Sequence, residues 1–336
     1  MTGTAESKQL SLLRILQILE AESDEAHPMT QGEIADRLDR GYGITVERKA
    51  IGRKLSLLGE AGYDVRRKGN DGFYLAEREF TDGELRLLMD GVLSCRSIPE
   101  RYAREMADKL REMGGPALRK ETKGLRAAGT YHTDRRDVFL TVETLGSAVC
   151  AERKVRFRYI ASEAAGEITV SPYHLTAAGG GYYLIGKADC ADCAESYRLD
   201  LMTDVWQTDE PREPLPGTRY GCPAPGEYVR EHPFMLGGAA VNVVARAEVR
   251  LLGEMTEYFG GGFSSVPDGG GLATVRVRCG EEDFFRWAMM NCDGVEVLSP
   301  RSLRERICGC AEAAAKRYGD GSERARSDPP GFFAAA

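Results

Sequence analysis

The chain has 336 residues, 42% hydrophobic and 29% charged, with a formal net charge of −7. This is the composition of a globular protein large enough for two or three domains, and the overall acidity gives no global sign of a polyanion partner. Nine cysteines, odd in number and not spaced as a disulfide framework, point to a reducing compartment. With no apolar run behind a basic start and no stretch near the roughly 20 apolar residues of a membrane span, a cytoplasmic location is expected.

From the N-terminus, Leu10–Glu20 places Leu12, Leu13, Ile15, Leu16 and Leu19 at helical spacing. Thr30 caps a second helix, with Glu33 completing a capping box and Ile34, Ala35 and Leu38 as its stripe. Gly41-Tyr42-Gly43 ends it, and Thr45 is expected to cap a third helix from Val46 to about Ala61. Three short helices with a turn before the third resemble a helix-turn-helix. Turned at about 100° per residue, the third helix puts Ile51, Leu55 and Leu58 on a core face. Lys49, Gly52, Arg53 and Ser56 fall opposite, with Thr45 at the entrance and Arg48 and Lys54 flanking the stripe. A helix with one apolar and one basic face suits the DNA major groove. Arg53 and Lys49 are placed for guanine edges, and Arg48 and Lys54 for phosphates. Tyr63–Lys68, an Asp71-Gly72 turn and Phe73–Leu75 then read as a hairpin with Arg66, Arg67 and Lys68 near its tip, the wing of a winged helix-turn-helix. Arg48 to Lys68 holds seven basic residues against Glu60 and Asp64.

Thr81 and Glu84 form a second capping box ahead of a helix with Leu85, Leu88, Met89 and Val92 as its stripe. Pro99 starts another, with Tyr102, Met106 and Leu110, ended by Gly114-Gly115-Pro116, and Arg119–Gly129 reads as a linker. Paired amphipathic helices between two domains commonly pack on a partner chain, so a homodimer is expected, its two recognition helices about one DNA turn apart.

Val138–Ala151 reads as a helix. In Lys154–Tyr159, Val155, Phe157 and Tyr159 alternate with Arg156 and Arg158. A strand over Glu167–Leu175, interrupted at Pro172, is followed by strands at Tyr182–Lys187 and Tyr197–Leu201. In the last of these, Arg198 and Asp200 share the face opposite Tyr197, Leu199 and Leu201. One helix and about five short strands form a small SH3-like or Sm-like barrel. Its Tyr, His, Arg and Asp residues can receive a ligand, and Arg156 and Arg158 can extend a basic track.

The run Ser171-Pro172-Tyr173-His174-Leu175, a Gly turn, Tyr182-Tyr183-Leu184 and then Tyr197-Arg198-Leu199-Asp200 resembles the WYL domain of bacterial transcription regulators, with Tyr182 where a Trp is usual. The resemblance extends to the winged helix-turn-helix and to the C-terminal module. It implies an Sm-like barrel that senses an effector, in some members single-stranded nucleic acid, and sets the activity of the attached DNA-binding domain. Carried over by position, the effector residues are His174, Tyr183 and Arg198, with Tyr173 and Asp200 adjacent. Arg198 suits a bidentate phosphate contact, and the aromatics suit base stacking.

Val205–Tyr228, with five prolines, reads as a loop-rich crossing. Strands at Ala245–Leu252, Ala273–Cys279 and Val295–Leu298 alternate with helices at Met255–Phe259, Glu281–Met290 and Leu303–Tyr318, the pattern of a ferredoxin-like module. Ser322–Ala336 reads as a disordered tail. The expected organisation is α+β and multidomain: a winged helix-turn-helix (1–78), a helical linker (79–132), a WYL-like sensor barrel (133–215), a ferredoxin-like extension (238–320) and a tail (321–336). Cys190-x-x-Cys193 is half of a metal motif without a second pair, and the glycine runs lack a phosphate-loop setting. No metal, cofactor or catalytic residue is expected. The functional expectation is an effector-responsive regulator binding double-stranded DNA, its effector a nucleotide or single-stranded nucleic acid. The alternative is a single-strand-binding or processing protein that uses the barrel directly.

Overall fold

A computed structural model describes residues 10–125, 132–160, 166–215, 218 and 224–319. The fold is α+β, with sheets of two, five and four strands, and the chain divides into two compact units, Met1–Arg136 and Asp137–Ala336.

In the first unit, α1 (Ser11–Glu22), α2 (Gln31–Tyr42) and α3 (Arg48–Glu60) precede a hairpin of β1 (Val65–Lys68) and β2 (Gly72–Leu75). Ile15, Leu19, Ile34, Leu38, Ile51, Leu55 and Leu58 close one core among the three helices. The Thr30/Glu33 capping box forms as expected, a feature of about 1 kcal/mol. Thr45 does not cap α3. The helix starts at Arg48 behind Glu47, and the Thr45 hydroxyl donates to Asp39 Oδ1 at 2.9 Å. The fully buried Ile44 enters the core just before it, so residues 44–47 stay extended and the first helical turn is delayed.

The hairpin is fastened to the start of α2. Met29 N donates to Phe73 O at 2.8 Å and Phe73 N to Met29 O at 2.7 Å. This approach requires Gly72, where φ is +138° and a Cβ would stand 2.4 Å from the Met29 carbonyl.

Next come α4 (Asp82–Ser94), α5 (Glu100–Met113) and α6 (Pro116–Glu121). The Thr81/Glu84 box opens α4 as expected. Leu85, Met89 and Leu93 form its buried stripe, whereas Leu88 is 42% exposed, because the four-residue steps to Leu93 turn it to the shoulder. Part of the expected linker is helical: Pro116 occupies a favoured first-turn position, and Leu118 is buried with α4 and α5. Residues 126–131 of that linker lie outside the described residues.

In the second unit, α7 (Val138–Ala151) leads into β3 (Arg153–Tyr159), β4 (Glu167–Ala178), β5 (Gly181–Ala188), β6 (Glu195–Arg198) and β7 (Met202–Pro211). The sheet order is β6-β5-β4-β3-β7, every neighbouring pair antiparallel. Leu145 and Ala148 of α7 pack on Val155, Phe157, Val170, Leu184 and Tyr197. The two edge strands are joined by a 3-10 turn, Leu199–Leu201, where the sequence pattern gave continued strand. Arg198 N donates to the Tyr159 hydroxyl at 3.1 Å, so the sheet curls until the end of β3 meets β6. Pro172 does not interrupt β4. The strand runs through a register shift between Pro172 and His174, a bulge that accommodates the missing donor.

The two ends of the expected loop Val205–Tyr228 are regular instead, in β7, paired along β3, and α8 (Pro225–Glu231). Beyond it lie β8 (Ala240–Glu248), α9 (Leu252–Phe259), β9 (Phe263–Gly269), β10 (Leu272–Gly280), α10 (Glu281–Met290), β11 (Val295–Ser299) and α11 (Arg301–Gly319). The strand order β11-β8-β10-β9 is that of two interleaved β-α-β halves. Val243, Ala245, Val275, Val277 and Cys279 pack beneath Phe284 and Trp287. Strand β9 carries no burial alternation, and the sequence pattern did not reveal it. The expected tail, 321–336, lies outside the described residues.

Candidate functional site

On α3, Arg48, Lys49 and Arg53 are exposed and Lys54 is half-buried. None of the four has an ion-pair partner among the described residues. The buried stripe Ile51, Leu55 and Leu58 turns them outward. Thr45, also exposed, is engaged with Asp39. The hairpin cations are exposed as well, but each is steadied. Arg66 pairs with Asp64 at 2.7 Å, and that hydrogen bond holds its guanidinium above its ordinary pKa. Arg67 lies 5.8 Å from the Phe73 ring centroid. Lys68 Nζ donates to the Glu25 carbonyl at 2.9 Å. The expected residues thus share one small unit: cations without ion-pair partners among the described residues on the helix, and engaged ones on the hairpin.

The second region is the outer face of β4–β5–β6. The register pairs Thr176 with Tyr183 and Tyr183 with Arg198, then His174 with Ile185 and Ile185 with Ser196. Because side chains two apart share a face, His174, Tyr183 and Arg198 stand together, opposite the core row Leu175, Leu184 and Tyr197. The bulge sets this phase. The Tyr183 ring lies over Gly181, where a Cβ would approach it to 2.8 Å. Arg198, 39% exposed, is held by Asp200, 5% exposed: Nη2 donates to Oδ2 at 2.7 Å and Nε to Oδ1 at 3.2 Å. This pairing pushes the Arg198 pKa further up. The 3-10 turn after β6 folds the Asp200 carboxylate back onto Arg198, so the two are clamp and clamped, not neighbours on a strand.

Three expected effector residues are placed differently. Tyr173 is 1% exposed, and its hydroxyl donates to the Glu213 carbonyl at 3.1 Å. It packs with Ile185, Ala194, Tyr228 and Met235 and offers no surface to a ligand. Arg156 Nε donates to Thr169 Oγ1 at 3.2 Å, and Arg158 stands 3.9 Å from Asp204. Both are engaged along β3, β4 and β7 instead of the row holding Tyr183 and Arg198.

Sequence reading missed what surrounds this face. Tyr228 of helix α8 and Met235 beyond it are buried in one cluster with Tyr173 and Ile185, and Val229 and Tyr183 pack against that cluster. Ser196 Oγ donates to the Met235 carbonyl at 2.6 Å. A groove of about 600 Å³ opens there, lined by Thr176, Ala178, Val229, Arg230 and Tyr258 among others. Also missed was a charged fastening. Lys154, 8% exposed, donates to Asp189 and Glu213, each at 2.8 Å. These bonds raise the Lys154 pKa and lower that of Glu213. Nothing local in the sequence marks residues so far apart as partners.

Cys190 is exposed and Cys193 half-buried, both as thiols. Among the described residues no cluster of three His, Cys, Asp or Glu could hold a metal. The Cys279 thiol is pushed up to about 12 by burial, so it is unreactive. No described helix is long and apolar enough to cross a membrane.

The second unit thus holds an antiparallel sheet that carries His174, Tyr183 and Arg198 on its outer face and stands on a helix-backed core. Residues 141–206 match the WYL domain model, so that segment of the chain is similar to a WYL domain. At whole-chain level it is similar to the proteasome accessory factor B/C (PafBC) of Arthrobacter aurescens, with 19% identity and a TM-score of 0.32, over 94% of this chain and 49% of that one. It therefore spans about half the length of that chain. It is also similar to a CRISPR Cas-related protein, with 11% identity and a TM-score of 0.40, over 96% of this chain and 89% of the other. No curated protein matches it.

Proposed function

We propose that the protein is a non-enzymatic, cytoplasmic, effector-responsive regulator that binds double-stranded DNA. In this reading residues 1–78 form a winged helix-turn-helix, and 79–132 a helical segment that joins two copies into a dimer. Residues 133–215 form an Sm-like WYL barrel that takes the effector, and 238–320 form a ferredoxin-like extension. The observation that carries it is the basic face of α3, without ion-pair partners among the described residues, beside the basic hairpin, in a chain of net charge −7. Like charges concentrated on one small unit repel each other, and a polyanion relieves that repulsion.

The WYL face supports the effector side. With Asp200 holding one edge of the Arg198 guanidinium, the remaining donors are fixed beside the Tyr183 ring. That pairing suits a phosphate joined to a base, as in a nucleotide or a single strand. The effector changes DNA affinity only in so far as it binds the DNA-competent and DNA-incompetent conformations unequally.

The test uses full-length protein and a random duplex pool, then fluorescence anisotropy on the selected sequence with nucleotides and short single strands added. A selected motif is expected, with an affinity that one of these additions shifts in the wild type and leaves unchanged in Arg198→Ala. Failure to select any duplex, or an equal shift in Arg198→Ala, would overturn the reading.

A further inference from the structure

The backbone best fixed beside the basic surface is the start of α2. Thr30 accepts from Glu33 N at 3.2 Å, and Glu33 Oε2 accepts from Thr30 N at 2.7 Å. One residue earlier, Met29 is bridged to Phe73 of the hairpin in both directions. Gln31, the first residue of α2, therefore leaves a frame that the wing and the capping box both hold.

Its side chain runs to α3. A Cβ built on Gly52 would stand 2.8 Å from Gln31 Nε2 and 3.7 Å from its Cδ. Gly52 lies at the flank of α3, between the core stripe and the outward face. Lys49 and Ser56 are three residues before and four after it, its neighbours on the helix surface. The Gln31 carboxamide thus fills the place of the missing side chain at the edge of the basic face. It is half-buried, and neither its amide donors nor its oxygen has a hydrogen-bond partner among the described residues.

We infer that Gln31 is a specificity-determining residue supplied by α2, reading an adenine next to the bases read from α3. This rests on the DNA-binding reading of that surface. A carboxamide matches adenine in the major groove: its oxygen accepts from N6–H and its N–H donates to N7. A phosphate is the poorer partner, since the amide is neutral and brings no charge to it. The glycine explains the geometry. Any side chain at position 52 would displace the amide from the flank of α3.

The experiment is duplex selection from a random pool with full-length wild type, Gln31→Met and Gln31→Glu. Methionine keeps the bulk and loses both hydrogen bonds. Glutamate keeps the shape and accepts only, so it favours the N4 donor of cytosine. Wild type is expected to require adenine at one position. Gln31→Met should lose that preference by about 5- to 150-fold at that position alone, with an unchanged salt slope, and Gln31→Glu should move it toward cytosine. The same motif from all three proteins overturns the assignment, as does uniform weakening over all sequences in Gln31→Met, which is the mark of a backbone contact. If wild type selects no duplex, the DNA-binding reading falls first and this inference with it. If wild type selects a motif that both variants reproduce, only the role of Gln31 falls.

Discussion

The basic residues of α3 and the Arg198 row use the same chemistry in opposite ways. Arg48, Lys49, Arg53 and Lys54 have no ion-pair partner among the described residues, whereas Arg198 is gripped at two points by a nearly buried carboxylate. An exposed unpaired cation contributes little to folding and is available to a partner that brings its own negative charge. A clamped guanidinium has a fixed direction, and removing it takes two hydrogen bonds from the carboxylate that clamps it. The first arrangement suits a long polyanion met in many registers, the second a small ligand met in one.

The contrast can be broken by substitution. The largest effect is expected from Lys49→Ala with Arg53→Ala: at least about 100-fold weaker duplex binding at moderate salt, with an unchanged melting temperature. A fall in both would make α3 a structural cation cluster. Next is Lys154→Met, which removes the centre of the fastening among β3, Asp189 and Glu213. A loss of about 1–2 kcal/mol in urea unfolding is expected, with duplex affinity intact. Arg198→Ala should cost about 1 kcal/mol by the same measurement, since the nearly buried Asp200 loses two hydrogen bonds while Arg198 itself is partly solvated. No measurable cost would mean that the clamp is not a constraint. Arg66→Ala should weaken duplex binding less than about threefold at physiological salt, because Arg66 is already neutralised by Asp64.

The smallest effect concerns acid. Backbone hydrogen bonds from Thr30 and Thr81 hold Glu33 and Glu84 below the ordinary carboxylate pKa. A depressed folded pKa means stability that is present above the unfolded value, about 4.3, and is lost as pH falls through the folded value. The melting temperature of the wild type should be flat from about pH 7 to 5 and decline below about 4. Part of that decline should be missing in Glu33→Gln, which has no carboxyl to titrate.

Legibility in the sequence follows the range of the forces involved. Both capping boxes, α7 over Val138–Ala151 and α10 over Glu281–Met290 were readable because their signals lie within one or two turns. The core stripe of α3 was readable because strict periodicity fixes faces, whereas Tyr183 and Arg198 were named together only through the resemblance to the WYL domain. Thr45 misled because the burial of Ile44 outweighs a local cap, and Tyr173 because a bulge, not simple alternation, decides its surroundings. Strand β9 was invisible, since an edge strand held by one neighbour needs no apolar alternation. The Lys154 fastening and the approach of Gln31 to Gly52 are purely tertiary, and local pattern carries neither.

The central claim is that α3 and the hairpin bind duplex DNA through their cations. The most direct measurement is the dependence of duplex affinity on salt for full-length protein, beside a variant with Arg48, Lys49, Arg53 and Lys54 changed to Gln. The account predicts a slope of log K against log salt of about −4 to −5 for the wild type, from roughly five phosphate contacts, and a slope shallower by about 2 in the variant. A wild-type slope near zero, or equal slopes in the two proteins, would contradict it.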